Sequence, residues 1–405
     1  MPKFIDIIQE TRSLSRTEQL KEFAKLPGIY VPHFYKPNYD SNGDLKAITP
    51  IDSNIPNFIS KQTWSGNTLS HSTVITPEAA WPNIHMVEVV RSCPELCRFC
   101  LASYLNLPFR SASLNDGLIP AVEKGLVATK RLGLLGASIT QHPEFVELLN
   151  WLNHDRFEHI QLSLSSVRAC TITPTMTKIL SRRNCKSLTI AMESGSERMR
   201  NLINKKIDEE EIFAAAHYVK EGGLKGLKLY GMVGLPTENN NDVEATVELL
   251  LKIKKKVSGL RLTLGVSSFV PKAHTPFQWY GMRKESDKRL KLLHKQLRPN
   301  GIDVRSESYR WSLIQTLISR SDRRLAPVIA FVRGGNKSFG EWKKAYKSIR
   351  DNNESDTKLP TWEKIIHDTW DLNKVLPWTH LEGPLNKSQL VKHQEKVVDY
   401  QKGII

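Results

Sequence analysis

Residues 86–100 read MVEVVRSCPELCRFC. Met86 to Val90 is a short run rich in β-branched residues, the composition of a buried strand, and Cys93, Cys97 and Cys100 follow directly. A strand that runs into a thiol-bearing loop puts the sulfurs at its C-terminal end, where barrels of alternating strands and helices place their chemistry. Three thiolates from one loop can ligate a [4Fe-4S] cluster and leave the fourth iron open to another ligand. Two other uses stand beside this one. A zinc knuckle would complete its tetrahedron with a residue such as His85 or His142, and an electron-carrying cluster would take a fourth cysteine. The chain has five cysteines, too few for a disulfide scaffold, and Cys170 and Cys185 read as small buried apolar residues.

Downstream of this loop, short apolar runs alternate with amphipathic segments, the pattern of a parallel sheet crossed over by helices. Strands are expected at Met86 to Val90, Leu134 to Thr140, Ile160 to Ser165, Ser187 to Met192, Leu227 to Val233 and Leu260 to Ser268. Helices between them show apolar residues spaced three and four apart: Ile119, Val122 and Leu126; Phe145, Leu148, Leu149 and Leu152 after Pro143; and Val243, Thr246, Val247, Leu250 and Ile253. The fold class is therefore α/β: a partial (βα)6 TIM-like barrel, with an open doubly wound sheet as the other arrangement, and an appended C-terminal α/β region. The expected divisions are an N-terminal lead-in over 1–84, a core over 85–280 and a C-terminal accessory domain over 281–405. The lead-in is Pro-rich, with a helix at Thr17 to Lys25 and a turn at Asn42-Gly43. Lys284 to Leu297 and Trp311 to Ser319 read as helices and Gly301 to Ser306 as a short strand of the accessory domain.

The 405 residues carry 58 Lys plus Arg against 42 Asp plus Glu, a formal net charge of +16. No apolar stretch is long enough to span a bilayer and no secretory signal opens the chain, so a cytoplasmic protein with no membrane partner is expected. The positive charge suits an anionic partner, with RNA (tRNA or rRNA) the leading one. Arg320, Arg323, Arg324, Lys343, Lys344 and Lys347, interleaved with Trp342 and Trp362, suggest phosphate contacts with base stacking; a solvated basic surface is the plain alternative.

Cys-x3-Cys-x2-Cys, with Phe99 before the last Cys, resembles the signature of the radical S-adenosylmethionine (SAM) superfamily. Glu193-Ser194-Gly195-Ser196 resembles that family's ribose and sulfonium contact region, and Gly234-Leu235-Pro236-Thr237-Glu238 its adenine-side Gly-x-Pro-x-Glu motif. Ser267 to Lys272, Thr275-Pro276-Phe277, Ser321 to Leu325 and Leu376-Pro377-Trp378 extend the similarity over about Pro27 to Gly383. Over that span the chain resembles cobalamin-domain-associated radical SAM proteins of undefined activity, related to methylthiotransferases. The resemblance implies an enzyme that binds a [4Fe-4S] cluster through Cys93, Cys97 and Cys100 and reductively cleaves SAM to a 5′-deoxyadenosyl radical. The substrate is unknown, and a reductant such as flavodoxin or ferredoxin would supply the electron. Larger relatives carry a cobalamin-binding-like domain; this chain lacks the Asp-x-His-x-x-Gly motif for cobalamin, so that cofactor is doubtful unless a separate domain or chain brings it.

Further SAM contacts follow from the resemblance. Where the family often has Gly-Glu after the second strand, this chain has Gly136-Ala137-Ser138-Ile139-Thr140-Gln141, so Ser138, Thr140 or backbone carbonyls would take the SAM amine, unless the hydroxyls merely cap the strand. Arg168 could pair with the SAM carboxylate or with a nearby acid. Glu193 and Ser194 would bind ribose or amine, and Glu193 could instead cap the following helix. Gly195, Gly234 and Pro236 would let backbone approach the nucleoside, or simply form tight turns. Arg98 would tune the cluster or lie in solvent as a surface charge. Two further functions fit the residues: a methyl- or methylthiotransferase acting on RNA, and a non-enzymatic metal-stabilised RNA-binding module.

Overall fold

The computed structural model describes residues 2–352 and 358–401. These fall into two compact units. The larger comprises 65–269, 283–309 and the C-terminal stretch from 394; the smaller comprises 1–64, 270–282 and 310–393.

In the larger unit the barrel strands are β1 (His85–Glu88), β2 (Arg131–Leu135), β3 (Gln161–Leu164), β4 (Ser187–Glu193), β5 (Gly226–Val233), β6 (Arg261–Ser268) and β7 (Asp303–Ser306). Every pairing among them is parallel and joins neighbours in sequence: β1-β2-β3 form one ladder and β4-β5-β6-β7 another. A parallel bridge from Val167 to Ile190 links the two. A doubly wound sheet would reverse its strand order part-way; this one never does, which makes it a partial, TIM-like barrel with all C-terminal strand ends on one rim.

The crossovers are α1 (Ile119–Leu126), α2 (Phe145–Leu152), α3 (Pro174–Arg182), α4 (Glu197–Leu202), α5 (Glu209–Glu221), α6 (Asn240–Lys256) and α7 (Ser286–Leu297). Local chemistry sets their starts. Thr173 caps α3 just ahead of Pro174, and Asp208 with Glu211 and Asn239 with Asp242 form reciprocal capping boxes on α5 and α6. The apolar face expected on α6 is buried in full: Val243, Thr246, Val247, Leu250 and Ile253. It joins Leu132 and Leu134 of β2, Leu148 and Leu152 of α2, and Leu227 and Leu229 of β5 in one core. Each such Leu, Ile or Val contributes about 1.5–3 kcal/mol by leaving water.

Two sequence expectations need correction. Gly301 to Ser306 is not part of an accessory sheet, because β7 pairs with β6 and extends the series to seven strands. The second strand ends at Leu135, and Ile139–Gln141 is a 3-10 turn, so Ser138 and Thr140 lie beyond the strand. Gly136, with φ of +156°, turns the chain there, and its missing side chain leaves room for Val90.

The smaller unit shows that residues 1–64 are more than a lead-in. They form a helix at Arg16–Ala24, capped by Ser15 and Glu18, and a hairpin of Tyr35–Tyr39 with Leu45–Pro50 that turns through Gly43. Ile59–Ser60 pairs in parallel with Leu381–Glu382, and Lys364 and Lys374 both bind Asp44. The contacts that fold this stretch therefore come from sequence more than 300 residues away, beyond the reach of local patterning. Residues 65–84 go instead with the larger unit, so the units cut across the boundaries expected at 84 and 280. Arg320, Arg323 and Arg324 are not phosphate hooks. Arg320 is buried and binds the carbonyls of Ile365, Trp279 and Asp368, Arg323 binds those of Pro32 and Tyr35, and Arg324 those of Gly43 and Lys358. No helix among the described residues is long and apolar enough to cross a membrane.

Candidate functional site

The loop after β1 is held from several sides. Ser92 and Leu96 take positive φ of 73° and 55°, conformations that non-glycine residues adopt at a cost. Asn204 donates to the carbonyls of Glu95 and Leu96 at 2.9 and 3.0 Å, and Tyr104 donates to Leu96 at 3.0 Å. Arg98 is not a surface charge. It is 8% exposed, and its guanidinium donates to the carbonyls of Asn201 and Leu202 at the end of α4, as cations at helix C-termini do.

Within this loop Cys93 and Cys97 are buried, and Cys100 and Phe99 are half-buried. Burial pushes the Cys97 thiol up to about 12; Lys205 pulls against that rise, while Cys100, Glu193 and Cys93 add to it. Lys205 is bound to Glu193 at 3.0 Å, with both side chains nearly buried. Burial disfavours the Lys205 ammonium, but Glu193 and the Cys97 thiolate outweigh it and hold its pKa above the usual value. Lys205 is thus a cation bound to the carboxylate that ends β4, and its charge is felt by the middle cysteine.

The acid inside the loop, Glu95, gathers the ends of other strands. Arg168, past β3, and Lys206 each approach its Oε2 at 3.4 Å, and Gln141 donates to its Oε1 at 2.6 Å. Ser138 donates to Gln141 at 2.6 Å, and Thr171 donates to Thr140 at 2.7 Å. Arg168 therefore pairs with a nearby acid, and the two hydroxyls expected near SAM belong to the network that fixes the cysteine loop.

Glu193 also has a positive φ, 66°. It does not cap α4: Ser196 does, accepting the Met199 N–H and donating to Asp242 at 2.7 Å. Gly195 is a glycine for a packing reason, since a Cβ there would fall 2.3 Å from Thr246 Cα, and its N–H donates to Thr246 Oγ1 at 2.9 Å. Ser194 is buried, and its carbonyl accepts from Arg200. In the next loop Gly234, at φ +79°, donates its N–H to Glu238 at 2.6 Å, and a Cβ would collide with Ser286. Pro236 is buried beside it. Arg289 of α7 closes on Glu238 at 2.7 Å, while Arg198 joins Thr237 to Asp242 and so ties the two loops together.

Sequence reasoning missed Glu95, Gln141, Asn204, Lys205, Arg198 and Arg289. The Lys205-Lys206 pair just beyond α4 was the one local signal. His85 and His142 do not serve the thiols: the His85 Nε2 meets the Ala121 carbonyl and the His142 Nε2 the Ala112 carbonyl. Cys170 is exposed, against the expectation of a buried apolar residue, whereas Cys185 is half-buried and packs against the core. Among the described residues no three His, Cys, Asp or Glu side chains converge as ligands of a single metal ion. The donor set fits a cluster, in which each thiolate takes its own iron: three thiols on one pinned loop, beside one buried ammonium.

A parallel partial barrel with a three-thiol loop at its first strand end is an arrangement for iron-sulfur chemistry. Residues 87–250 match the Radical SAM superfamily. A match to this family implies a [4Fe-4S] cluster and SAM as cofactors. The chain is 35% identical over 269 residues to an uncharacterized protein of Methanocaldococcus jannaschii, covering 66% of this chain and 59% of that one. It is 24% identical over 178 residues to a tRNA-2-methylthio-N(6)-dimethylallyladenosine synthase of Acetivibrio thermocellus, covering 42% and 37%. The chain thus spans about half the length of these curated relatives. Among solved structures it is similar to coproporphyrinogen III oxidase from Escherichia coli, at 17% identity, with 53% of this chain and 51% of that chain covered and a TM-score of 0.36.

Proposed function

We propose that this protein is a radical SAM enzyme in which Cys93, Cys97 and Cys100 hold the cluster and the rim loops hold SAM. When bound, the cluster and SAM supply reductive cleavage to a 5′-deoxyadenosyl radical. The chain's own residues bind and orient. The observation that carries the reading is the Glu193–Lys205 pair, 3.0 Å long, whose ammonium opposes the rise of the Cys97 thiol, because it couples the Glu193 motif electrostatically to the cysteine motif. Phe99, Ser138, Thr140, Arg168, Glu193, Ser194, Gly195, Gly234 and Pro236 lie in the loops assigned to SAM. Three non-glycine residues of these rim loops, Leu96, Glu193 and Thr237, take φ between 55° and 66°, and backbone strain of this kind gathers at functional sites.

Anaerobic reconstitution with iron and sulfide, followed by dithionite and SAM, tests the reading. The expected result is about four irons per chain and release of 5′-deoxyadenosine. Cys97→Ala abolishes both while the far-ultraviolet circular dichroism stays unchanged; SAM cleavage by that variant refutes the assignment.

The net charge of +16 and the similarity to a synthase named for its tRNA product favour RNA as the substrate class, with methyl or methylthio transfer as the reaction. That chemistry needs a second sulfur source or cobalamin, and a separate domain or chain would have to bring the latter. A gel shift of tRNA at two salt concentrations checks it, and no shift at low salt refutes it.

A further inference from the structure

The smaller unit holds a cavity of about 470 Å³, within the range of small-molecule pockets. No part of the SAM-cleavage reading uses it. Its polar anchor is Gln278, which is 4% exposed. The Gln278 Oε1 accepts the His274 main-chain N–H at 2.9 Å and the Trp378 indole N–H at 2.7 Å. Only the amide oxygen can accept two donors, so the group cannot turn over, and its Nε2 hydrogens are left as fixed donors in the cavity wall.

The remaining walls narrow the ligand. Phe58, 55% exposed, and Trp378 supply aromatic surface, and the His274 ring, which burial keeps neutral, can both donate and accept. Lys374 lines the cavity but is bound to Asp44, whereas Lys387 is exposed at the rim and has no ion-pair partner among the described residues. The one rim carboxylate, Glu382, is engaged by Ser60 at 2.5 Å. The fitting ligand is planar, carries hydrogen-bond acceptors on its edge and has an anionic group at one end. A wholly apolar molecule would leave the Gln278 donors unsatisfied, and a bare phosphate would leave the aromatic walls unused.

We propose that this cavity binds a nucleotide, with the base against Trp378 and Phe58, its acceptors on Gln278 and its phosphate at Lys387. The inference stands apart from the radical SAM reading, and its readout requires neither cluster turnover nor SAM.

The test titrates the full chain with the four ribonucleoside 5′-monophosphates, the matching nucleosides, ribose 5-phosphate and a single-stranded RNA octamer, by calorimetry and tryptophan fluorescence. At least one nucleotide quenches tryptophan emission and binds about tenfold or more tightly than ribose 5-phosphate. Lys387→Ala weakens the nucleotide about tenfold and leaves the nucleoside unchanged. Gln278→Glu keeps an accepting oxygen but removes the donors, and weakens both. Should Gln278→Glu fail to fold, the surface variants Lys387→Ala and Phe58→Ala decide. An octamer that binds about tenfold more tightly than the nucleotide, and responds to the same variants, assigns the site to RNA; equal binding assigns it to free nucleotide. No binding of nucleotide or octamer at ~10 mM and ~0.1 mM respectively, or binding indifferent to these substitutions, overturns the proposal.

Discussion

Arg289→Met removes the partner of a carboxylate that has nowhere else to go. Arg289 and Glu238 are 5% and 3% exposed, the guanidinium reaches the Glu238 carboxylate at 2.7 Å and its carbonyl at 2.8 Å, and the same carboxylate accepts the Gly234 N–H. Burial pushes Glu238 up to about 7, with the Gly234 hydrogen bond and Arg289 holding it from rising further. Loss of one member of a buried pair costs about 3–5 kcal/mol because the other charge is left uncompensated. Part of that loss is relieved when the acid takes a proton, so about 3 kcal/mol is expected near neutrality. Urea unfolding gives the magnitude, and hydrogen exchange of peptides covering 226–256 gives the place. Glu238→Gln in the Arg289→Met background restores at least about 1.5 kcal/mol, the size of coupling typical of residues in direct contact. Additive single effects, or a loss under about 1 kcal/mol, would refute the view that this pair braces the Gly234 turn.

Three further outcomes are expected. Gly195→Ala forces a methyl into the backbone of α6 and strains the hydrogen bond to Thr246; a loss of about 2–4 kcal/mol in urea unfolding is expected, and a neutral effect would show that α6 can yield. Glu95→Gln leaves Arg168 and Lys206 without their acid, so reconstituted protein should lose iron to a chelator several-fold faster while remaining folded; an unchanged rate counts against the role of the network. His380 is 5% exposed, and burial lowers its pKa to about 4. The unfolded chain, titrating near 6.5, then binds the extra proton first, so stability is intact above pH 6.5 and falls as pH drops toward 4, by about 3 kcal/mol in all. His380→Phe should flatten that slope in urea titrations between those pH values, and an unaltered slope would place its cause elsewhere.

All seven strands were legible, the seventh without its place beside β6, because β-branched runs and helical periodicity are local signals. The second strand was misplaced at its end because Ser138, Ile139 and Thr140 have strand-like composition, while the turn at Gly136 depends on contact with Val90. The thiols were legible as a spacing, and both flanking motifs as loops. Lys205 was not, since its meaning lies in reaching back to Glu193 past a helix. The same holds for Arg289, which stands 51 residues from Glu238 in sequence. The folding of 1–64 was hidden for a related reason: Asp44 is satisfied by lysines some 320 and 330 positions later.

The segment around His71 bridges antiparallel to Val87, with Ser72 donating its N–H to Met86 and Glu88 donating to Ser70. This short stretch occupies the flank of β1 that would otherwise offer its amides and carbonyls to any passing chain. A shortened protein beginning at residue 85 would keep every cysteine and every strand of the barrel, yet present an open, sticky border. Insolubility of such a piece would then report a lost cover strip, not a misfolded catalytic core.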